Sequence, residues 1–160
     1  MLAHEEKKHR LALELYRGCV SVAFTACTRN RTTVFLKNIH VAPASQALIE
    51  AAGKRKCDVV ICLFMPDHVH VVLKGLEEDS DTYRAMWLFK QKTGYLFSKE
   101  GMGKVWQKDF HDHIIRSEAD LANHVRYILE NPVRKGLVGS WKEYPYKGST
   151  VYDLYRWDVE

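Results

Sequence analysis

The chain of 160 residues lacks the features that mark membrane-spanning and secreted proteins. It has no apolar run near the ~18 residues that a transmembrane helix needs, and no internal repeat or low-complexity segment. Residues 1–17 carry many charges and no apolar stretch typical of a signal peptide. These absences predict a cytoplasmic protein with no membrane partner. We expect one domain over residues 1–160, with a basic N-terminal extension (1–17) and an aromatic-rich C-terminal tail (139–160).

Cysteine is scarce, and its spacing carries no metal or redox signature. The four cysteines are Cys19, Cys27, Cys57 and Cys62. No two of them form a Cys-x-x-Cys pair, and three lie in or beside apolar segments that read as buried strands. We therefore expect buried free thiols rather than disulfides or a zinc cluster.

Excess charge is also modest, with a formal net charge of +4 and a pI of about 8.8. Such a balance permits a polyanionic partner but does not require one. Basic residues recur in four short clusters, at 7–10, 54–56, 90–92 and 134–135. Each cluster alone is typical of a solvated surface, whereas four together are compatible with a face that binds nucleic acid.

Apolar periodicity divides the chain into alternating strands and helices. Strands are predicted over residues 19–26, 57–64, 68–73 and 105–115, and helices over residues 41–56, 81–97 and 117–131. The order strand, helix, strand, strand, helix, strand, helix is the split βαβ arrangement of ferredoxin-like domains. We therefore predict an α+β fold in which helices cover one face of an antiparallel sheet.

Two histidines lie two residues apart in the third predicted strand. Because side chains alternate along a strand, His68 and His70 share one face, while Val69, Val71 and Leu73 point into a core on the other. Two neighbouring neutral imidazoles can hold a divalent cation and leave positions open for a substrate. The alternative, which is commoner for this spacing alone, is a solvated strand face that happens to carry two histidines.

The last predicted helix presents a tyrosine away from its apolar side. The residues of its apolar stripe are Leu121, Val125, Ile128 and Leu129. Tyr127 lies roughly 145° from the centre of that stripe, and Asn131 follows one turn later on the same side. Pro132 disfavours further helix at Asn131. Tyr127 is either a partly exposed anchor of the helix or a nucleophile whose target a metal ion polarises.

These residues resemble the tyrosine transposases of the IS200 type, the HUH/Y1 class. The segment MPDHVH (65–70) resembles their His-hydrophobic-His motif, and YILENPVRKGLV (127–138) resembles their nucleophile helix. The resemblance is more specific to the branch associated with repetitive extragenic palindromes. It extends over about residues 11–152, with further matching segments at 11–16, 20–25, 29–31, 105–113 and 141–150.

The resemblance implies a metal-dependent enzyme that cleaves and rejoins single-stranded hairpin DNA near palindromic repeats. It implies Mg²⁺ or Mn²⁺ held by His68, His70 and Asn131, and Tyr127 as a nucleophile that forms a 5′-phosphotyrosine. Insertion-sequence relatives often carry glutamine at the position of Asn131, so the asparagine favours the palindrome-associated branch. Because that branch tends to work as a monomer, the resemblance favours a monomer, with a homodimer left open.

Several side chains are predicted to contact the DNA. The predicted DNA-binding residues are Arg126, Arg134, Lys135, Lys90, Lys92 and Trp106. The basic residues would follow the phosphates, and Trp106 would stack on unpaired bases. The tail aromatics Trp141, Tyr144 and Tyr146 could stack in the same way, although packing beneath the tail is the commoner role for all four aromatics. The charge and position of segment 7–17 suggest that it grips the hairpin.

Two other functions are compatible with parts of the pattern. A domesticated hairpin-binding protein without catalysis would need neither the histidine pair nor Tyr127, and all three are intact. A phosphodiesterase that activates water usually recruits more carboxylates, and only Asp67 lies near the histidines in the sequence. Replacing Tyr127 by phenylalanine separates the transposase from the water-based enzyme. A purely structural protein leaves the paired motifs without a role.

Overall fold

The computed structural model describes residues 12–156, which form one sheet, four α-helices and three short 3-10 helices. The strands are β1 (Ser21–Cys27), β2 (Cys57–Met65), β3 (His68–Gly75), β4 (His111–Ile115) and β5 (Lys147–Gly148). The helices are α1 (Asn38–Lys54), α2 (Thr82–Lys99), α3 (Glu118–Leu129) and α4 (Asn131–Arg134). Most of the predicted N-terminal extension lies outside the described residues, including residues 7–11 of the predicted hairpin grip (7–17), and so do residues 157–160.

The sheet has the strand order β4-β1-β3-β2-β5. Each of the neighbouring pairs is antiparallel. The first four strands and the helices α1 and α2 form a β-α-β-β-α-β unit, so the predicted ferredoxin-like α+β fold is confirmed. The two central strands, β1 and β3, pair in a register that sets Thr25 opposite His70 and Cys27 opposite His68.

Side-chain alternation gives the sheet two different buried faces. On the first, Val69, Val71 and Leu73 of β3 are fully buried in a core with residues of α1 and α2, as predicted. On the second, Val72 of β3 packs with residues of α3 and the C-terminal segment, including Trp141. Helices therefore cover both faces of the sheet. The prediction that helices cover only one face holds for α1 and α2, because α3 packs on the other face. The reason is β2, which is apolar on both sides and needs two covers.

The predicted strand over 105–115 is shorter than expected. Only its second half forms β4, while Trp106 makes an isolated bridge to Thr28. The ammonium group of Lys90 on α2 donates to three successive backbone carbonyls ahead of β4, at 2.8–3.2 Å. The accepting carbonyls belong to Gln107, Lys108 and Asp109. Because a side chain satisfies them, this stretch needs no partner strand.

Three of the four thiols agree with the prediction of buried free cysteines, and Cys19 does not. Cys27, Cys57 and Cys62 are buried and free, and Cys19 is exposed and free. Burial raises the pKa of Cys57 to about 11 and that of Cys62 to about 12, so both are protonated and unreactive at neutral pH. Within residues 12–156, no helix has the length and apolar character required to cross a membrane.

Candidate active site

The two histidines of β3 face each other closely. A tight turn at residues 66–67 precedes β3 and sets its register, so His68 and His70 point to the same side of the sheet. Their Nε2 atoms are 3.2 Å apart, and their rings are nearly perpendicular, at 87°. His68 is buried, with 8% of its surface exposed, and His70 is partly buried. The pair is therefore a built pocket rather than a solvated strand face.

Neighbouring side chains hold the outer nitrogen of each ring. Asp67 Oδ1 lies 2.7 Å from Nδ1 of His68, and Thr25 Oγ1 lies 3.2 Å from Nδ1 of His70. The guanidinium of Arg31 in turn donates to Asp67 Oδ2 at 3.0 Å. When Nδ1 carries the proton, Nε2 presents a lone pair. Both lone pairs then point into the space between the two rings.

Asn131 completes this pocket from another part of the chain. Its amide nitrogen lies 2.8 Å from His70 Nε2 and 3.4 Å from His68 Nε2. The residue is only 6% exposed and begins α4, immediately after the end of α3. Pro132 occupies the first turn of α4, where its missing N–H costs nothing, and this break turns Asn131 toward the sheet. The structure thus brings the three predicted metal ligands together.

Burial keeps both imidazoles neutral. It lowers the pKa of His70 to about 3, with further lowering from the charge that His68 would carry if protonated and from the charge of Arg134. Burial also lowers the pKa of His68, although Asp67 opposes that effect. For Asp67, burial raises the pKa, but the hydrogen bonds from His68 and Arg31 outweigh it and leave the pKa below its usual value. Neutral imidazole is the form that binds a metal ion.

The donor chemistry of the pocket fits a divalent metal ion. An asparagine amide can present either its nitrogen or its oxygen, because the two orientations have nearly the same shape. With the oxygen turned inward, His68, His70 and Asn131 offer two imidazole nitrogens and one carbonyl oxygen. Three protein ligands leave positions open for a substrate, as catalytic metal sites do. This ligand set alone does not choose among Mg²⁺, Mn²⁺ and Zn²⁺.

Tyr127 lies on α3 beside the pocket. The apolar stripe of α3 is buried as predicted, and Tyr127 is off that stripe, with 61% of its surface exposed. The guanidinium of Arg134 lies 3.9 Å from the centre of the tyrosine ring and donates to the Tyr127 carbonyl at 2.6 Å. Tyr127 and His70 line the same open cavity of about 200 Å³. The predicted nucleophile therefore borders the same cleft as His70, one member of the histidine pocket.

The predicted phosphate-binding cations divide into two groups. Arg134 and Lys135 follow Asn131 and are close enough to the histidine pair for their charges to lower its pKa values, and Arg126 is exposed one residue before Tyr127. Lys90 and Lys92 have contacts elsewhere: Lys90 holds the carbonyls ahead of β4, and Lys92 forms an ion pair with α1. Arg134 and Lys135 therefore lie near the site, and with the exposed Arg126 they are better candidates for a DNA contact than Lys90 and Lys92.

Trp106 is a core residue rather than a base-stacking platform. It is only 5% exposed, and its Nε1 donates to Thr93 Oγ1 at 2.8 Å. The rings of Phe35 and Phe89 each lie 5.6 Å from its own. An indole enclosed in this way offers no open face to a base, which corrects the predicted DNA contact.

The tail aromatics also pack inward. Trp141 and Tyr144 are each 6% exposed in the second core. The hydroxyl of Tyr144 donates to the carbonyl of Phe64, and that of Tyr146 donates to the carbonyl of Leu36. Packing beneath the tail, the commoner alternative in the sequence analysis, is therefore the role that these contacts favour.

Three supporting residues were missed by sequence reasoning. They are Thr25, Arg31 and Asp67, which orient the two histidines directly or through one another. The position of Asp67 next to His68 was a usable signal, because metal-binding histidines commonly donate Nδ1–H to a carboxylate. Thr25 and Arg31 depend on the β1–β3 pairing, which no local pattern reveals.

The fold and this cleft define a ferredoxin-like domain with a paired-histidine pocket and a tyrosine-bearing helix. The family model described as IS200-like transposase matches residues 19–131, and the chain belongs to that family.

Two curated relatives and one solved structure are similar to this chain. A REP-associated tyrosine transposase of Escherichia coli strain K12 is 30% identical over 125 residues, covering 77% of this chain and 72% of that protein. A Haemophilus influenzae protein assigned to the same group is 37% identical over 114 residues, covering 60% of this chain and 64% of its own length. The structure of a REP-associated tyrosine transposase bound to a REP hairpin has a TM-score of 0.72 and 25% identity, and the match covers 86% of this chain and 79% of that one.

Proposed function

We propose that this chain is a metal-dependent transposase that cleaves and rejoins single-stranded DNA at hairpins of palindromic repeats. The observation that carries the proposal is the convergence of His68, His70 and Asn131 in one pocket, with Tyr127 in the same cleft. The family membership and the solved relative bound to a REP hairpin support DNA as the substrate. Location in the cytoplasm and use of Mg²⁺ or Mn²⁺ remain predictions.

The proposed chemistry is two transesterifications. When held by His68, His70 and Asn131, Mg²⁺ or Mn²⁺ supplies Lewis-acid polarisation of the scissile phosphate. The phenolic oxygen of Tyr127 attacks the phosphorus as its proton passes to solvent in the open cleft. The bond from phosphorus to the 3′ oxygen breaks, and that oxygen takes up a proton. The products are a 5′-phosphotyrosine and a free 3′-hydroxyl, which can attack the phosphotyrosine in the reverse sense.

The cations around the cleft have distinct proposed roles. Arg134, which lies over the Tyr127 ring, favours the negative charge that develops on the phenolic oxygen and on the phosphate. Lys135 and Arg126 neutralise flanking phosphates and set the position of the strand. These contacts carry no sequence information, so the target is chosen by the hairpin and its flanking bases.

The first experiment uses the full chain, 5′- and 3′-labelled single-stranded hairpin oligonucleotides and either Mg²⁺ or Mn²⁺. We expect a protein–DNA adduct that survives detergent, is lost with a chelator and is lost in Tyr127→Phe, because only the hydroxyl oxygen can form the ester. Tyr155→Phe is the matched control: this tyrosine is 95% exposed and far along the chain from the site. Denaturing gels report both adduct and cleavage.

Two outcomes would replace the proposal. Tight hairpin binding with neither adduct nor cleavage would favour the non-catalytic hairpin-binding protein. Metal-dependent cleavage that persists in Tyr127→Phe would favour a phosphodiesterase that activates water, since that reaction does not need the phenol.

A further inference from the structure

A second group of metal-ligating side chains lies at the outer edge of the sheet. His113 belongs to the edge strand β4, whereas Asp120 and His124 lie one turn apart on α3. His113 Nε2 is 3.8 Å from Asp120 Oδ2, and His124 Nε2 is 3.5 Å from Asp120 Oδ1. The two imidazole rings are stacked, with centroids 4.8 Å apart. These three residues are called the edge cluster below.

The spacing of the edge cluster is close to that of a coordinated ion. One ligand atom from each residue can be chosen so that all three lie within 4.8 Å of one another. Bonds of about 2.1 Å in a tetrahedral site place the ligand atoms roughly 3.4 Å apart, so the side chains need to move only slightly. The side chains of His113 and His124 are 59% and 28% exposed, which leaves an entry path for an ion.

Backbone contacts hold the carboxylate in place. Asp120 lies in the first turn of α3, where its backbone N–H donates to Ser117 Oγ at 3.1 Å. Its Oδ2 accepts from the backbone N–H of Arg116 at 3.4 Å. His124 follows four residues later on the same helical face, and at this spacing two side chains of a helix can contact the same metal ion. The carboxylate and one imidazole are thus preorganised before His113 approaches from β4.

We propose that the edge cluster binds one transition metal ion of the zinc type, separately from the pocket of His68, His70 and Asn131. Two imidazoles with one carboxylate suit Zn²⁺ or Co²⁺, whereas Mg²⁺ prefers oxygen ligands. The site does not rest on the proposed transposase function, since it shares no ligand with the pocket of His68, His70 and Asn131, although His113 and His124 line the same cavity as Tyr127. It would join β4 to α3 one turn before Tyr127, and thereby hold the tyrosine-bearing helix against the sheet.

The test measures metal binding directly in the full chain carrying His68→Ala and His70→Ala. These two changes remove metal binding by the pocket of His68, His70 and Asn131. We expect one equivalent of Zn²⁺ by calorimetry, and Co²⁺ absorption between about 500 and 700 nm that Zn²⁺ abolishes. Adding His113→Ala or His124→Ala should weaken binding at least tenfold. His111→Ala is the matched control, because this histidine lies two residues earlier on the same face of β4 but outside the cluster.

A second measurement avoids the chance that the protein with three substitutions fails to fold. In the otherwise unchanged chain, wild type should bind two equivalents of Zn²⁺ and His124→Ala one, with matching circular dichroism. Zn²⁺ should also raise the melting temperature more in the His111→Ala chain than in the His113→Ala chain. Equal Zn²⁺ stoichiometry and affinity in the His113→Ala, His124→Ala and His111→Ala chains would overturn the proposal, as would the absence of stoichiometric binding in the chain with an intact edge cluster.

Discussion

At the scale of single residues, the candidate site depends on contacts behind the ligands. His68 and His70 turn their Nε2 atoms toward each other because Asp67 and Thr25 are hydrogen-bonded to the two Nδ1 atoms. Arg31 also donates to the carboxylate of Asp67, and the hydrogen bonds from His68 and Arg31 outweigh burial and lower the pKa of Asp67, so the group stays ionised. The orientation of the rings is therefore set before any ion or DNA arrives, which lowers the cost of binding.

Asp67→Asn should weaken Mn²⁺ binding by about 10- to 100-fold, because the neutral amide is a weaker acceptor for Nδ1–H of His68. Isothermal titration with Mn²⁺ measures the affinity, and circular dichroism checks the fold. Asp153→Asn, a change at an exposed carboxylate elsewhere on the surface, is the control and should have no effect. Unchanged Mn²⁺ affinity in Asp67→Asn would show that the carboxylate does not support the metal pocket.

At the scale of secondary structure, the break between α3 and α4 creates the site. A continuous helix through residue 131 would carry Asn131 onward along the axis of α3. Pro132 cannot donate a backbone hydrogen bond, so α3 ends at Leu129 and a new helix begins at Asn131. One short segment, residues 127–134, thus supplies the tyrosine, the buried amide and the cation over the tyrosine ring.

The loop before β4 is a second element whose structure depends on packing. We expect Trp106→Ala to lower the free energy of unfolding by about 3–5 kcal/mol, because it empties a buried site and leaves Thr93 Oγ1 without its donor. Chemical denaturation measures this loss. Trp87→Ala is the matched control, since Trp87 is 52% exposed and its loss should cost much less. If the Trp106→Ala protein were as stable as wild type but bound hairpin DNA more weakly, Trp106 would be a DNA-contacting residue after all.

At the scale of the whole molecule, one chain holds a complete candidate site. Tyr127 lines the same cavity as His70 of its own chain. Action in cis requires this placement, and the monomer expected from the sequence stays a prediction. A homodimer that exchanges its tyrosine helices would instead pair the Tyr127 of one protomer with the histidines of its partner.

Mixing two inactive proteins separates these arrangements. Tyr127→Phe retains the histidines, and His68→Ala with His70→Ala retains the tyrosine. If the site acts in cis, the mixture forms no adduct with labelled hairpin DNA. If tyrosines are exchanged in a dimer, half of the randomly formed dimers are mixed and each has one intact site of two, so about a quarter of the wild-type adduct returns. Analytical ultracentrifugation gives the oligomeric state alongside.

The sequence by itself determined the ferredoxin-like order of elements, the shared face of His68 and His70, and the displacement of Tyr127 from its apolar stripe. These features follow from the repeat of side-chain direction, every 2 residues in a strand and every 3.6 residues in a helix, which is visible in a short stretch of sequence. Only the tertiary structure decided that helices cover both faces of the sheet, that Trp106 is core, and that Thr25 and Arg31 support the histidines. It also brought His113 on β4 to the helix that carries Asp120 and His124. Such contacts join residues far apart in the chain, and strand pairing and burial, which depend on the whole fold, determine them.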